Sequence, residues 1–200
     1  MIVLDIETSG INFSKNGIWQ IGAIDLETRE EFLQECRIDN DEDISSEALL
    51  ITGKSEKELR NNKQSQKQMI ENFLKWVENK KIHNFICQNP QFDIGFIKIK
   101  SEKYGLKIPK NHRAFDLHSI AQIIYFQLNK DFLFNYNKKG SDFNMSKILE
   151  FCGVKDNRKN HNALEDCKLT GECFSRLVYS KKRFKEYEVF EIPDYLKKGK

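Results

Sequence analysis

Ile2-Val3-Leu4-Asp5-Ile6-Glu7-Thr8 is a short apolar run broken at alternate positions by acids. Side chains alternate across a strand, so Asp5 and Glu7 project from one face while Ile6 enters the core. The same spacing recurs in Asp25-Leu26-Glu27-Thr28, but that copy runs into the charged Arg29-Glu30-Glu31 and reads as hairpin surface. The first copy ends a run of buried character and is followed by Thr8-Ser9-Gly10. Taken alone a D-x-E triplet is a weak signal, and the elements around it must decide what it does.

Working outward, strands are expected over 2–6, 18–26 and 31–37, with 27–30 as a polar turn between the last two. Ser65 and Gln68 form a capping-box signature ahead of Met69, Ile70, Phe73, Leu74 and Val77, which line one helix face. A fourth strand follows over 82–87. Asn89 then reads as the N-cap, and Pro90 as the first residue, of a helix through Phe92, Phe96 and Ile97 toward Gly105. A fifth strand is expected at 113–115. Asp116 is placed to cap a helix carrying Leu117, Ile120, Ala121, Ile124 and Leu128. Residues 129–142 look like an irregular insertion, 143–152 like a short helix ended by Gly153, and 162–179 like the last long helix. Strands first, then helices alternating with two more strands, point to an α/β chain with helices on both faces of a mixed sheet.

A chain of 200 residues, 39% hydrophobic and 32% charged, has the balance of a globular single domain. No apolar run approaches the roughly 20 residues of a bilayer span, and Asp5 interrupts the apolar start, so the expected location is cytoplasmic. Five cysteines without a C-x-x-C pair argue against a disulfide framework and against a zinc site. The net charge of +3 hides an asymmetry: residues 1–50 total −9, which leaves +12 for the remainder. That distribution suits a protein that draws a polyanion toward carboxylates.

Two further acids lie where side chains can converge. Asp93 closes Asn89-Pro90-Gln91-Phe92-Asp93 in a first helical turn, and Asp166 closes His161-Asn162-Ala163-Leu164-Glu165-Asp166. Five positions apart, His161 and Asp166 cannot share a face of one regular helix, which puts His161 in the loop before it. The segment Phe132-Leu133-Phe134-Asn135-Tyr136, beside Lys138 and Lys139, reads as core packing under a loop in preference to a base-stacking platform.

Jointly these pieces resemble the DEDD superfamily of 3′–5′ exonucleases, in its histidine-containing (DEDDh) branch, over Ile2 to about Leu177. The carrying motifs are Asp5-Ile6-Glu7-Thr8, Asn89 through Asp93, and His161 through Asp166. Phe92-Asp93-Ile94-Gly95-Phe96 and Ile51-Thr52-Gly53 are similar to the epsilon proofreading subunits of bacterial replicative DNA polymerases. The resemblance implies an RNase H-like fold, a mixed five-stranded sheet flanked by helices, with an exonuclease domain over 1–180 and a charged tail over 181–200. It implies two divalent ions, Mg²⁺ or Mn²⁺, held by Asp5, Glu7, Asp93 and Asp166, with Asp5 bridging both. It implies His161 as general base, Thr8 and Asn89 as substrate contacts, single-stranded nucleic-acid 3′ ends as substrate, and a DNA polymerase as a partner. RNA-trimming exoribonucleases of the RNase T or oligoribonuclease type share these motifs, as would a silent binding module on the same fold. Gln88, Pro90 and Gln20 depart from the usual residues of the family, and none of them is a metal ligand or the base.

Overall fold

The computed structural model describes residues 1–110, 112–156 and 162–197. Strand β1 (Ile2–Thr8) is central in a five-stranded sheet, with β2 (Ile18–Asp25) and β3 (Glu31–Glu35) on one side and β4 (Phe85–Cys87) and β5 (Ala114–Asp116) on the other. β1, β2 and β3 pair antiparallel through short connections, whereas β4 and β5 run parallel to β1. Parallel pairing requires a crossover, and helices supply it. The expected mixed sheet is the one observed.

Seven helices pack around it among the described residues: α1 (Ser46–Thr52), α2 (Glu56–Arg60), α3 (Gln66–Glu78), α4 (Pro90–Lys103), α5 (Leu117–Asn129), α6 (Met145–Phe151) and α7 (Ala163–Tyr179). Alternation along β1 sorts its side chains between two cores. Ile2, Leu4 and Ile6 join Met69, Ile70 and Phe73 of α3 and Phe96 of α4 on one side. Val3 joins residues of α5, α6 and α7 on the other. Asp5 and Glu7 continue the row of Val3, so the strand's period of two turns both acids toward the α7 side.

Several expected boundaries shift for local reasons. The fourth strand begins at Phe85 instead of 82, and Ile82 is left exposed. The third stops at Glu35, after which Arg37 leaves β2 to bridge with Ser65. Ser65 caps α3 by accepting from Gln68 N, but the return bond of the expected capping box is not made. A reciprocal box forms instead at Ser55 and Glu58, opening α2. Helices α1 and α2 were not expected from the sequence; at seven and five residues they are too short for a periodic apolar face to declare itself. Residues 129–142, expected to be irregular, contain a hairpin of β6 (Phe134–Asn135) and β7 (Gly140–Ser141).

The charged segment after α7 folds back on it. Phe184, Ile192 and Leu196 enter the core. Fully buried Arg176 pairs with Glu172 at 2.6 Å and donates to the carbonyls of Cys152, Tyr187 and Phe190. Glu172 in turn accepts from Arg183 N and Phe184 N. Such a pair is tolerated inside because each lone pair and proton finds a partner.

The acidic stretch at 39–43 also acts within the molecule. Buried Glu42 accepts from Lys100 Nζ at 2.7 Å and Gln66 Nε2 at 2.6 Å, and Lys103 bonds Asp39, Asp41 and Glu42. Part of the positive charge of 98–113 is therefore neutralised by this loop, and Lys100 is buried with it. All five cysteines are free and buried, as the absence of C-x-x-C pairs suggests.

Candidate active site

A cleft of about 650 Å³ opens at the carboxyl ends of β1 and β4. The chain leaves β4 into α4 on one face of the sheet and leaves β5 into α5 on the other. Crevices form where successive connections diverge to opposite faces in this way.

Strand alternation presents Asp5 and Glu7 to the cleft, and the first turn of α7 brings Asp166 to meet them. Ligating oxygens of the three lie within 4.8 Å of one another, with Glu7 and Asp166 buried. The position of Asp166 depends on how α7 docks. Asn162 caps the helix by accepting from Leu164 N and Glu165 N. Gln20 Oε1 accepts from Ala163 N at 2.7 Å while its Nε2 donates to Glu35 at 2.8 Å. Gly22 allows the close approach: a Cβ there would stand 2.4 Å from the carbonyl carbon of Ala163. Cys167 Sγ donates to Gly22 O one turn further on.

Asp93 enters from the opposite side of the sheet. It lines the same cleft, outside the three-acid cluster, and its Oδ1 accepts from Ile6 N at 3.2 Å. Burial pushes its carboxyl up to about 7, and the negative charge of Glu7 adds to the rise. The same acids act on the thiols beneath them. Burial first, then the charges of Asp93 and Asp5, hold Cys87 well above its ordinary range, and Cys167 is raised likewise. Both stay protonated and unsuited to bind a soft metal.

Asn89 occupies the N-cap position of α4, but its side chain makes no capping bond and lines the cleft. Thr8 is held differently: its hydroxyl donates to Gly10 O at 2.7 Å. His161 lies outside the described residues. Asp25 of the second D-x-E copy serves a turn, accepting from Glu27 N, far along β2 from the cleft. Asp116 caps α5 through His118 N and Ser119 N and does not line the cleft.

Gln88, which departs from the family's usual residue, also lines the cleft, as do Asn144, Ser146, Asp156 and Thr170, which no sequence motif singled out. Thr170 was within reach, because it follows Asp166 by one helical turn on the same face. Asn144 and Ser146 come from a separate helix whose docking no local pattern reports.

Three carboxylates gathered in a partly buried pocket repel one another unless a cation neutralises them. Oxygen-only donors at this spacing fit a hard divalent ion. Among the described residues no helix is long and apolar enough to cross a membrane.

Comparison with known proteins agrees with this geometry. Residues 2–174 match the RNase T exonuclease family. DNA polymerase III PolC-type of Caldanaerobacter subterraneus subsp. tengcongensis is 27% identical over 179 residues, covering 88% of this chain and 11% of that protein. The chain thus spans about a tenth of the length of the curated relatives it matches. In fold, it is similar to cell-death related nuclease 4 (CRN-4), with a TM-score of 0.69 at 15% identity over 91% of this chain and 64% of the other. It is also similar to E. coli exonuclease I solved in complex with a dA16 oligonucleotide, with a TM-score of 0.70 at 17% identity over 91% of this chain and 41% of the other. With the sheet order, the acid cluster at its switch point and the family match over most of its length, the chain belongs to the RNase T exonuclease family, within the DEDD superfamily of 3′–5′ exonucleases.

Proposed function

We propose that this chain removes nucleotides from the 3′ end of single-stranded DNA with two divalent ions, Mg²⁺ or Mn²⁺, and a histidine general base. The convergence of Asp5, Glu7 and Asp166 within 4.8 Å carries the reading. These three and Asp93 would hold the ions, which when bound supply Lewis acidity to the attacking water and the leaving oxygen. Asp93 must lose its proton to take part, and Ile6 N orients its carboxylate as it does so. Asn89, free of a capping role, is the candidate contact for the scissile strand, and Thr8, fixed by Gly10 O, for the terminal ribose. His161 follows from the sequence motif; a neutral imidazole with a reference pKa near ~6.5 accepts the proton of the attacking water at neutral pH.

DNA is favoured over RNA because the relatives carry the name DNA polymerase III and the exonuclease I neighbour binds a deoxyadenylate strand. A replicative DNA polymerase is the corresponding candidate partner. The test incubates the protein and either ion with 5′-labelled DNA and RNA, blocked or free at the 3′ end. Stepwise shortening of free-ended DNA is expected; intact strands with both ions sink the reading. His161→Ala should slow turnover while sparing Mn²⁺ binding, and equal loss of both would contradict the role.

A further inference from the structure

The aromatic segment of the insertion does not pack under its loop. Phe132, Phe134 and Tyr136 are 40%, 48% and 80% exposed, and Phe126 of α5 beside them is 40% exposed. Their rings form one continuous row, with centroids 4.7 Å apart from Phe126 to Phe132, 5.7 Å to Phe134 and 6.4 Å to Tyr136. Leu133 turns inward against the core, while Phe132 and Phe134 on either side of it turn outward.

The hairpin is held firmly beneath this row. Buried Gln122 donates to Leu133 O and Ser141 Oγ and accepts from Leu133 N. His118 Nε2 meets Ser141 Oγ at 2.7 Å. A preorganised aromatic face loses little freedom on binding. Lys130, Lys138 and Lys139 flank this segment in the chain, exposed and in no ion pair among the described residues. From Ser141 the chain passes within three residues to Asn144, which lines the cleft. Ser141 pairs with Phe134 across the hairpin, and three extended residues span at most ~10 Å, which puts the hairpin near the edge of the cleft.

We propose that the Phe126–Phe132–Phe134–Tyr136 row, with Lys138 and Lys139, is a stacking platform for unpaired bases of the single strand whose 3′ end enters the cleft. The proposal rests on the exonuclease reading above and adds a second contact region to it. Rings stack on any base, and lysines attract the backbone, so the platform gives length-dependent affinity without sequence preference.

The test compares the whole chain with a Phe134→Ala/Tyr136→Ala variant, a Tyr136→Ala variant and a Lys138→Gln/Lys139→Gln variant. Fluorescence anisotropy in Ca²⁺ reports affinity for a long oligothymidylate, and hydrolysis of a dinucleotide in Mn²⁺ reports the cleft alone. The ring double variant is expected to bind the long strand about tenfold or more weakly, and the lysine variant to show a shallower salt dependence. Dinucleotide hydrolysis should be unchanged in all three. Tyr136 is exposed enough that its removal leaves folding intact, so its single variant keeps the test decisive if the double variant unfolds. Unchanged long-strand affinity overturns the platform, as does an equal loss on the dinucleotide. A changed oligomeric state with unaltered affinity overturns it too and assigns the face to self-association. Wild-type protein that cleaves neither substrate would sink the exonuclease reading itself, an outcome distinct from these.

Discussion

Gln20 fastens the first turn of α7 to the sheet, its Oε1 accepting from Ala163 N at 2.7 Å, three residues ahead of Asp166. The bond is buried and spans the chain from second strand to last helix, so it sets where Asp166 stands relative to Asp5 and Glu7. Gln20→Leu would leave Ala163 N without its acceptor, at a cost of about 1–3 kcal/mol. Thermal melting should register the loss, and calorimetric titration should show weaker Mn²⁺ binding. An unaltered Mn²⁺ affinity would mean that the packing of α7 places Asp166 without this bond.

Gly22→Ala should be harsher than its size suggests. The added Cβ meets backbone of Ala163, which no rotamer change can move aside. The helix must lift from the sheet, for about 1–3 kcal/mol of stability and nearly all cleavage. Urea unfolding together with the nuclease assay checks both.

Asp93 makes the metal-free protein sensitive to pH. Burial raises its folded-state value to about 7 from an ordinary 3.8. Between those values the folded protein retains a proton that the unfolded chain releases, so stability contributed below 3.8 is lost as pH rises through about 7. Asp93→Asn keeps an acceptor for Ile6 N and removes the titration. The variant should therefore melt higher than wild type at pH 8 in EDTA, with the gap closing toward pH 4. A metal held by Asp93 would work in the other sense, because it would need the carboxylate, and wild-type Mn²⁺ affinity should then fall as pH drops through 7. A melting gap independent of pH would contradict this account.

The two D-x-E copies should separate cleanly. Asp166→Asn or Asp5→Asn removes an oxygen from the 4.8 Å cluster and should abolish cleavage. Asp25→Asn retains an acceptor for Glu27 N in the turn and should cleave at the wild-type rate. Initial rates on labelled DNA distinguish them.

Arg176→Ala would strand Glu172 in the core and release the carbonyls of Cys152, Tyr187 and Phe190. A loss of about 3–5 kcal/mol is expected, measured by denaturant unfolding. Limited proteolysis should then cut within 181–197, which wild type protects by packing Phe184 and Leu196.

Local chemistry was legible from residues close together in the chain. Strand alternation set Asp5 and Glu7 on one face, Asp116 stood as a helix cap, and Pro90 opened its helix, because these patterns depend on neighbours a few positions away. The order of strands and helices was enough for the mixed sheet. Helices α1 and α2 and the hairpin escaped because each is too short for its period to repeat often enough to show. Only the tertiary structure decided that Gln20 and Gly22 seat α7, that Asp93 is held by Ile6 N with its carboxyl pushed up by burial, and that the rings of the insertion face solvent. Each of those depends on surfaces brought together from distant parts of the chain, and burial and close approach exist only once they meet.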